Sequence, residues 1–436
     1  MKHFLILCSL FFLVLIPLFN PGFYTSPDGP SHLTKIAYFY QSLQSGNFFP
    51  GWVQGLNNNL GYPIFFFTYP LPYYAASLFK FLSLGTIDSL KLVMALVTLS
   101  GSLGMYMWIY QVFRKKNLAL MSAVLYLFTP YRFLDFYVRA AFGEVVFLGL
   151  IPWLFWSMEK SYFKTTSIIT ATLILSHLQL SAIFLPISFL FKHSLRAQIL
   201  GLGLAAFFWL PAILLLPLTK FSQTVQFIPF EHLATLKQVI YSPWGFGFSK
   251  PGPIDGMSFQ LGIVNWLVLF ASTITALIKK NKFFLVAVTI CWLSIILVTS
   301  SPFGFWKLPQ VQTIQFPWRL LTIPLIFMPL LAVSLFSLIK SKLPIIILII
   351  LAIYTNRNHI RTNLPQFENF KDADFLMTNT TATATPDEFM PIILNSNTRF
   401  VFEKHNSIFY GRLISLVSLG ILSYGFIRRN YRQKQV

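Results

Sequence analysis

Apolar runs broken by short polar stretches recur along the whole chain, at about 4–19, 88–112, 118–130, 144–158, 197–217, 259–278, 283–300, 318–338, 343–356 and 408–427. A bilayer-spanning helix takes about 20 mostly apolar residues at ~1.5 Å of rise each. The pattern therefore predicts helices packed in lipid. The stretch 64–84 is apolar too, but it carries Pro63, Pro70, Pro72 and Lys80. Proline breaks a continuous helix, so this stretch is expected to be re-entrant or interfacial, in a place where protein or a wet cavity surrounds it.

The basic residues orient these runs. They fall in short clusters between them, such as Arg114-Lys115-Lys116, Lys279-Lys280, Lys340 with Lys342, and Arg428-Arg429. Cytoplasmic loops look like this under the positive-inside rule. The apolar stretch between Lys164 and Lys192 has basic flanks on both sides. It is read as a helical hairpin with Ser176-His177-Leu178-Gln179 at its tip. The result is an all-α polytopic membrane protein with about twelve crossings, within a range of roughly 10 to 13, and both termini cytoplasmic. Residues 1–356 form the membrane domain, with outer loops at 20–87 (helical in part), 131–143, 218–258 and 301–317. Residues 357–407 form an extracytoplasmic segment, and 408–436 a last helix with a basic tail.

Composition supports a membrane protein and narrows the class. Of 436 residues 55% are hydrophobic and 11% charged, against roughly 25% charged in soluble domains. The net charge of +20 is spread over loops and forms no single basic face, so a nucleic-acid partner is not expected. Cys8 and Cys291 both lie in apolar runs, which indicates neither a disulfide framework nor a zinc site. The first run resembles a signal peptide but lacks a small-x-small cleavage site, so it is read as an uncleaved helix. With loops placed by Lys and Arg alone, Glu159 is the one acidic residue of thirteen on the cytoplasmic side. Acidic residues contribute little to orientation, so a working site on the outer face is a candidate cause.

Several outer-face residues are candidates for chemistry. Asp28 follows the first helix, with His32 one turn on; a helix cap is the alternative for Asp28. Glu144 opens an apolar helix, where a carboxylate at depth costs roughly 2.5–3.5 kcal/mol and needs a partner. Arg139 is near in sequence, within a stretch that also holds Asp135; a structural ion pair is the alternative. Arg319 starts a helix from the outer side, and its planar fork suits phosphate. His177 sits mid-hairpin and is expected more as a packing residue than a ligand. Trp52, Tyr62, Tyr69, Tyr73, Trp244 and Trp306 lie in outer loops. They are candidates for stacking on a sugar, most of them expected to form an interfacial aromatic belt. Glu231-His232, Asp255 and Asp387-Glu388 are weaker candidates.

The run Asp28, His32, Gly46, Pro50-Gly51-Trp52, Gly61-Tyr62-Pro63 and Tyr69-Pro70-Leu71-Pro72-Tyr73-Tyr74 resembles a family of bacterial multi-pass proteins, the 6-pyruvoyl-tetrahydropterin-synthase-related membrane proteins. The resemblance continues in Arg139-Ala140-Ala141-Phe142-Gly143-Glu144, Pro152, Ser176-His177, Ile314-Gln315-Phe316-Pro317-Trp318-Arg319-Leu320-Leu321 and Thr385-Pro386-Asp387-Glu388-Phe389-Met390-Pro391. That family is in turn similar to the GT-C glycosyltransferases, which use sugars on polyprenyl phosphate. The resemblance implies a GT-C-like fold in a bacterial cytoplasmic (inner) membrane. It implies inverting transfer at the outer face from a polyprenyl-phosphate donor, with membrane lipid as a partner and protein partners unknown. Asp28 matches the first-loop acid and Glu144 the second, as catalytic residues or as ligands of a divalent cation, Mg or Mn. Gly29 stands where some members of the class carry a second acid, which leaves metal dependence open. Arg139, Arg319, His32, His177 and Trp52 would bind substrate or phosphate. A transporter or flippase and a non-catalytic cell-envelope assembly protein are the alternatives.

Overall fold

The computed structural model describes residues 2–225, 228–252, 254–300, 302–337, 339–383, 387–395 and 397–433. Thr385 and Pro386 of the C-terminal motif, and the last three residues of the basic tail, lie outside them. The protein is all-α apart from one antiparallel pairing of two-residue strands, Phe23–Tyr24 with Pro365–Gln366. This pairing ties the segment after α1 to the segment after α14.

The helices follow the apolar runs. In order they are α1 (Lys2–Leu15), α2 (Gly29–Gln44), α3 (Leu71–Phe81), α4 (Thr86–Phe113), α5 (Lys116–Leu127), α6 (Phe142–Glu159), α7 (Phe163–Ser176), α8 (Leu178–Phe189), α9 (Leu195–Leu204), α10 (Ala206–Leu215), α11 (Ile263–Lys279), α12 (Lys282–Thr299), α13 (Thr322–Phe336), α14 (Leu343–Asn356) and α15 (Asn406–Gln433). Among the described residues, six helices are long and apolar enough to cross a membrane. The pair α9 and α10 would make a seventh, but it bends by 73°. The other apolar helices have 10–17 residues. The protein is thus a multi-pass membrane protein, while length and composition establish six or seven of the twelve crossings expected. The bend of that pair falls at Ala205, six residues before Pro211, which lies inside the unbroken α10.

α13 is the central helix. Every residue from Thr322 to Ser334 is buried, as expected of a helix that is apolar all round. α4 and α6 meet at backbone contact. A Cβ on Gly149 would stand 2.5 Å from the Val97 carbonyl, and one on Gly101 2.7 Å from that of Leu148. Small residues permit such approach between membrane helices, and here the contact fixes the height and rotation of α6, whose first turn carries Glu144. α7 and α8 are joined through the single extended residue His177.

The aromatic belt expected in the outer loops is absent at several of its positions. Tyr62, Tyr73 and Trp306 have no exposed surface and pack inside the protein. An amphipathic ring gains more by filling a gap between loops and bundle than by facing lipid, provided its polar atom is satisfied. Trp306 donates to the Leu297 carbonyl at 2.9 Å, and the Tyr62 hydroxyl accepts from Phe389 N at 2.8 Å.

Candidate active site

The sequence Asp28 to Lys35 begins α2, and its polar residues Asp28, Ser31, His32 and Lys35 recur at helical spacing. They share one face, and that face lines a cavity of about 320 Å³. Asp28 stands at the N-terminus of α2, yet its side chain makes no capping hydrogen bond. The Ser31 hydroxyl and the His32 amide donate to its backbone carbonyl instead, at 2.8 and 3.1 Å. That frees the carboxylate for Arg139.

Arg139 ends a π-helical turn, residues 134–139, which the segment between α1 and α2 straps in place. Asp28 N donates to the Arg139 carbonyl at 3.0 Å, and the Tyr24 hydroxyl donates to that of Phe136. The following Ala140 is left-handed, φ 56°, so the chain reverses and begins α6 beside the turn. The guanidinium of Arg139 therefore meets three carboxylates. Nη1 donates to Asp135 Oδ1 at 2.8 Å, and Nη2 donates to Glu144 Oε1 at 3.0 Å and Asp28 Oδ2 at 3.2 Å. Its face lies 4.3 Å from the Trp318 ring centroid. Arg319 approaches Glu144 from the opposite side, with Nε donating to the same Oε1 at 3.0 Å and Nη1 to Ile314 O and Gln315 Oε1. His177 Nε2 is 3.8 Å from that oxygen. One carboxylate oxygen, buried at the head of α6, thus organises two arginines. Glu144 Oε2 has no hydrogen-bond partner among the described residues.

The rest of the lining comes from far along the chain. Gly143 lets the Tyr69 ring lie on the backbone, where a Cβ would stand 2.2 Å from ring carbon. Tyr69 in turn stacks on His177 with centroids 5.2 Å apart. Glu388 arrives from segment 357–407, and its Oε2 accepts from Gln315 Nε2 at 2.8 Å. Burial raises its carboxyl to about 7, against the lowering pull of Gln315, Lys35 and Arg319. Burial likewise lowers Lys35 to about 8, and Glu388 and Asp28 act to raise it. Burial holds His32 well below its usual range, with Lys35 and Arg139 adding to the effect. The imidazole is therefore neutral at pH 7, and its Nδ1 pairs with the Tyr73 hydroxyl at 2.8 Å. Leu178, Ala182, Ala212, Ile213 and Leu216 make an apolar wall. Ile213 is 53% exposed.

Of the residues singled out in the sequence, the structure brings together Asp28, His32, Arg139, Glu144, His177 and Arg319. Trp52 lies apart, with its ring against Phe402 and its Nε1 donating to Gln54 at 3.3 Å. Asp255 serves a separate loop, where it accepts from Gln238, Ser249 and the Lys250 amide. Lys35 went unnoticed in the sequence, although the polar stripe it completes at positions 28, 31, 32 and 35 marks it. The donor set does not fit a divalent cation as arranged. Arg139 Nη2 occupies the position between Asp28 and Glu144, and among the described residues no three His, Cys, Asp or Glu side chains gather as ligands.

Fold and site together define a polytopic helical membrane protein with a charged cavity near the ends of its helices. Among solved structures, the chain is similar to the arabinofuranosyltransferase AftD from Mycobacteria, with a TM-score of 0.52 and 13% identity over 82% of this chain and 26% of that one. A mutant of the same protein, R1389S, matches with a TM-score of 0.50 and 12% identity over 82% of this chain and 28% of that one. The likeness establishes a shared fold, and this chain spans about a quarter of the length of those neighbours. No family model and no curated protein matches the chain, so the pterin-synthase-related family rests on the motifs alone.

Proposed function

We propose that this protein is an inverting membrane glycosyltransferase. It moves a sugar from a polyprenyl-phosphate donor to a hydroxyl acceptor on the extracytoplasmic face of a bacterial cytoplasmic membrane. The observation that carries the reading is the double character of the cavity. A carboxylate and guanidinium cluster shares the cavity with an apolar wall whose Ile213 is half exposed. A lipid phosphate needs both surfaces at once, a charged seat for its head and an apolar path for its tail.

In this reading Asp28 takes the proton of the acceptor hydroxyl through Oδ1, which has no protein partner among the described residues. The acceptor oxygen bonds to the anomeric carbon as the bond from that carbon to the phosphate oxygen breaks, and the electron pair leaves with the phosphate. Glu144 holds Arg139 and Arg319 in fixed orientation, so their field is in place before charge develops on the leaving group. The guanidinium of Arg139 lies between the carboxylates of Asp28 and Glu144 and supplies positive charge there.

The test is transfer of labelled sugar from a polyprenyl-phosphate donor in reconstituted vesicles. Removing a general base costs about a hundredfold to ten-thousandfold, and Asp28→Asn is expected to fall in that range. Full transfer by Asp28→Asn removes the role given to Asp28. Lipid movement across the bilayer with no covalent transfer overturns the reading in favour of a transporter.

A further inference from the structure

The cavity holds three cations, and they differ in what already binds them. The charge of Arg139 is shared among three carboxylates, and that of Arg319 is paired with Glu144. Lys35 is 7% exposed and lines the same cavity. Among the described residues its ammonium makes no hydrogen bond and no ion pair. A buried ammonium without a partner is costly, and a side chain with this many rotatable bonds also loses entropy when it is ordered. Such a group is stabilised when an anion enters beside it.

We infer that Lys35 is the seat of the donor's phosphate: its ammonium pairs with the phosphate oxyanion of an isoprenyl phosphate whose tail leaves the cavity along the wall of Ala212, Ile213 and Leu216. The inference deepens the glycosyltransferase reading and rests on it for the identity of the ligand. Three features of the site agree with it. Lys35 is seven residues from Asp28 on α2, so seat and base lie on the same helix face, two turns apart. Its flexible stem and compact point charge suit a phosphate that must arrive and leave, where the arginines are held in fixed forks. Glu388, the nearest large influence on its charge after burial, is itself pushed to about 7 by burial. It can therefore accept a proton and cease to compete when a phosphate binds.

The experiment is equilibrium binding of a short-chain isoprenyl monophosphate to the full chain in lipid nanodiscs. The corresponding uncharged isoprenol and inorganic phosphate alone are measured in parallel. Lys35→Met is expected to weaken the monophosphate about tenfold or more, the usual scale for one charge-assisted hydrogen bond, and to leave the isoprenol unchanged. Lys35→Arg is expected to stay within a few-fold of the wild type, and it keeps the test valid if the methionine variant folds poorly. Inorganic phosphate that competes as well as the lipid shows a free-anion site and overturns the lipid assignment. Monophosphate binding by Lys35→Met as tight as the wild type overturns the inference altogether. The two readings fail separately. Lys35-dependent binding with no sugar transfer sinks the transferase and leaves the phosphate seat. Transfer by Lys35→Met at the wild-type rate does the reverse.

Discussion

The two halves of the cavity are built on opposite terms. In the half around Glu144, Arg139 and Arg319 are locked by hydrogen bonds of 2.7–3.2 Å to carboxylates, amide and backbone oxygens. In the half around Lys35 and Glu388, the ammonium and the carboxyl share a single side-chain hydrogen bond among the described residues, from Gln315 to Glu388. The first half is charge spent on geometry. The second leaves an ammonium and a carboxyl close to their switching points. A site that binds an anion, and then stabilises the charge left behind by bond cleavage, needs both kinds of group.

The sharpest way to break this contrast is at Glu144. Removing one partner of a buried ion pair leaves an uncompensated charge and costs about 3–5 kcal/mol. Glu144→Gln strips both Arg139 and Arg319 of their shared carboxylate, so thermal melting in detergent is expected to show a loss of that size, together with loss of transfer. If Glu144→Gln melts like the wild type, the Glu144 half is not the rigid one.

The opposite half is probed by pH. Burial raises the Glu388 carboxyl to about 7, above the value of about 4.3 expected in an unfolded chain. Between those values the folded protein holds a proton that the unfolded chain has released. The stability of the wild type therefore falls as pH rises through this window and levels off above about 7. Glu388→Gln has no such proton. The two proteins are expected to melt alike near pH 4, and the variant to gain on the order of 3–4 kcal/mol relative to the wild type by pH 8. Parallel melting curves across that range would show that Glu388 is charged throughout.

Local spacing made one half legible in the sequence. Asp135, Arg139 and Glu144 lie within ten residues, a buried carboxylate at a helix start demands a partner, and the partner was next to it. The arginine from the other side could be placed only as an outer-end charge, because Arg319 meets Glu144 across 175 positions. The second half depends on contacts of still longer range. Glu388 reaches the cavity because Phe389 is stacked between Phe67 and Phe221, with centroids 4.6 and 5.7 Å away, and Pro391 pairs with Thr219. No periodicity in 387–391 announces that. The acidic excess in the loops expected outside also has a structural origin. Asp372 binds Lys80 Nζ and the Thr86 amide, fastening segment 357–407 to α3 and α4, so part of the expected asymmetry is structural.

Trp52 marks the boundary of the comparison. The sequence offered it for stacking on a sugar, which needs a free ring face. Phe402, 350 positions later, lies over it with centroids 5.9 Å apart, and the indole is 7% exposed. What Trp52 contributes is therefore packing plus one hydrogen bond to Gln54 at 3.3 Å. Trp52→Phe keeps the aromatic contact and gives up that bond, worth about 1 kcal/mol at most. Melting is expected to fall by no more than this, with isoprenyl-phosphate binding unchanged, in contrast to Lys35→Met. If Trp52→Phe weakened the phosphate ligand as much as Lys35→Met does, the ligand would reach beyond the cavity to Trp52. The division between a locked and an open half would then describe only part of the site.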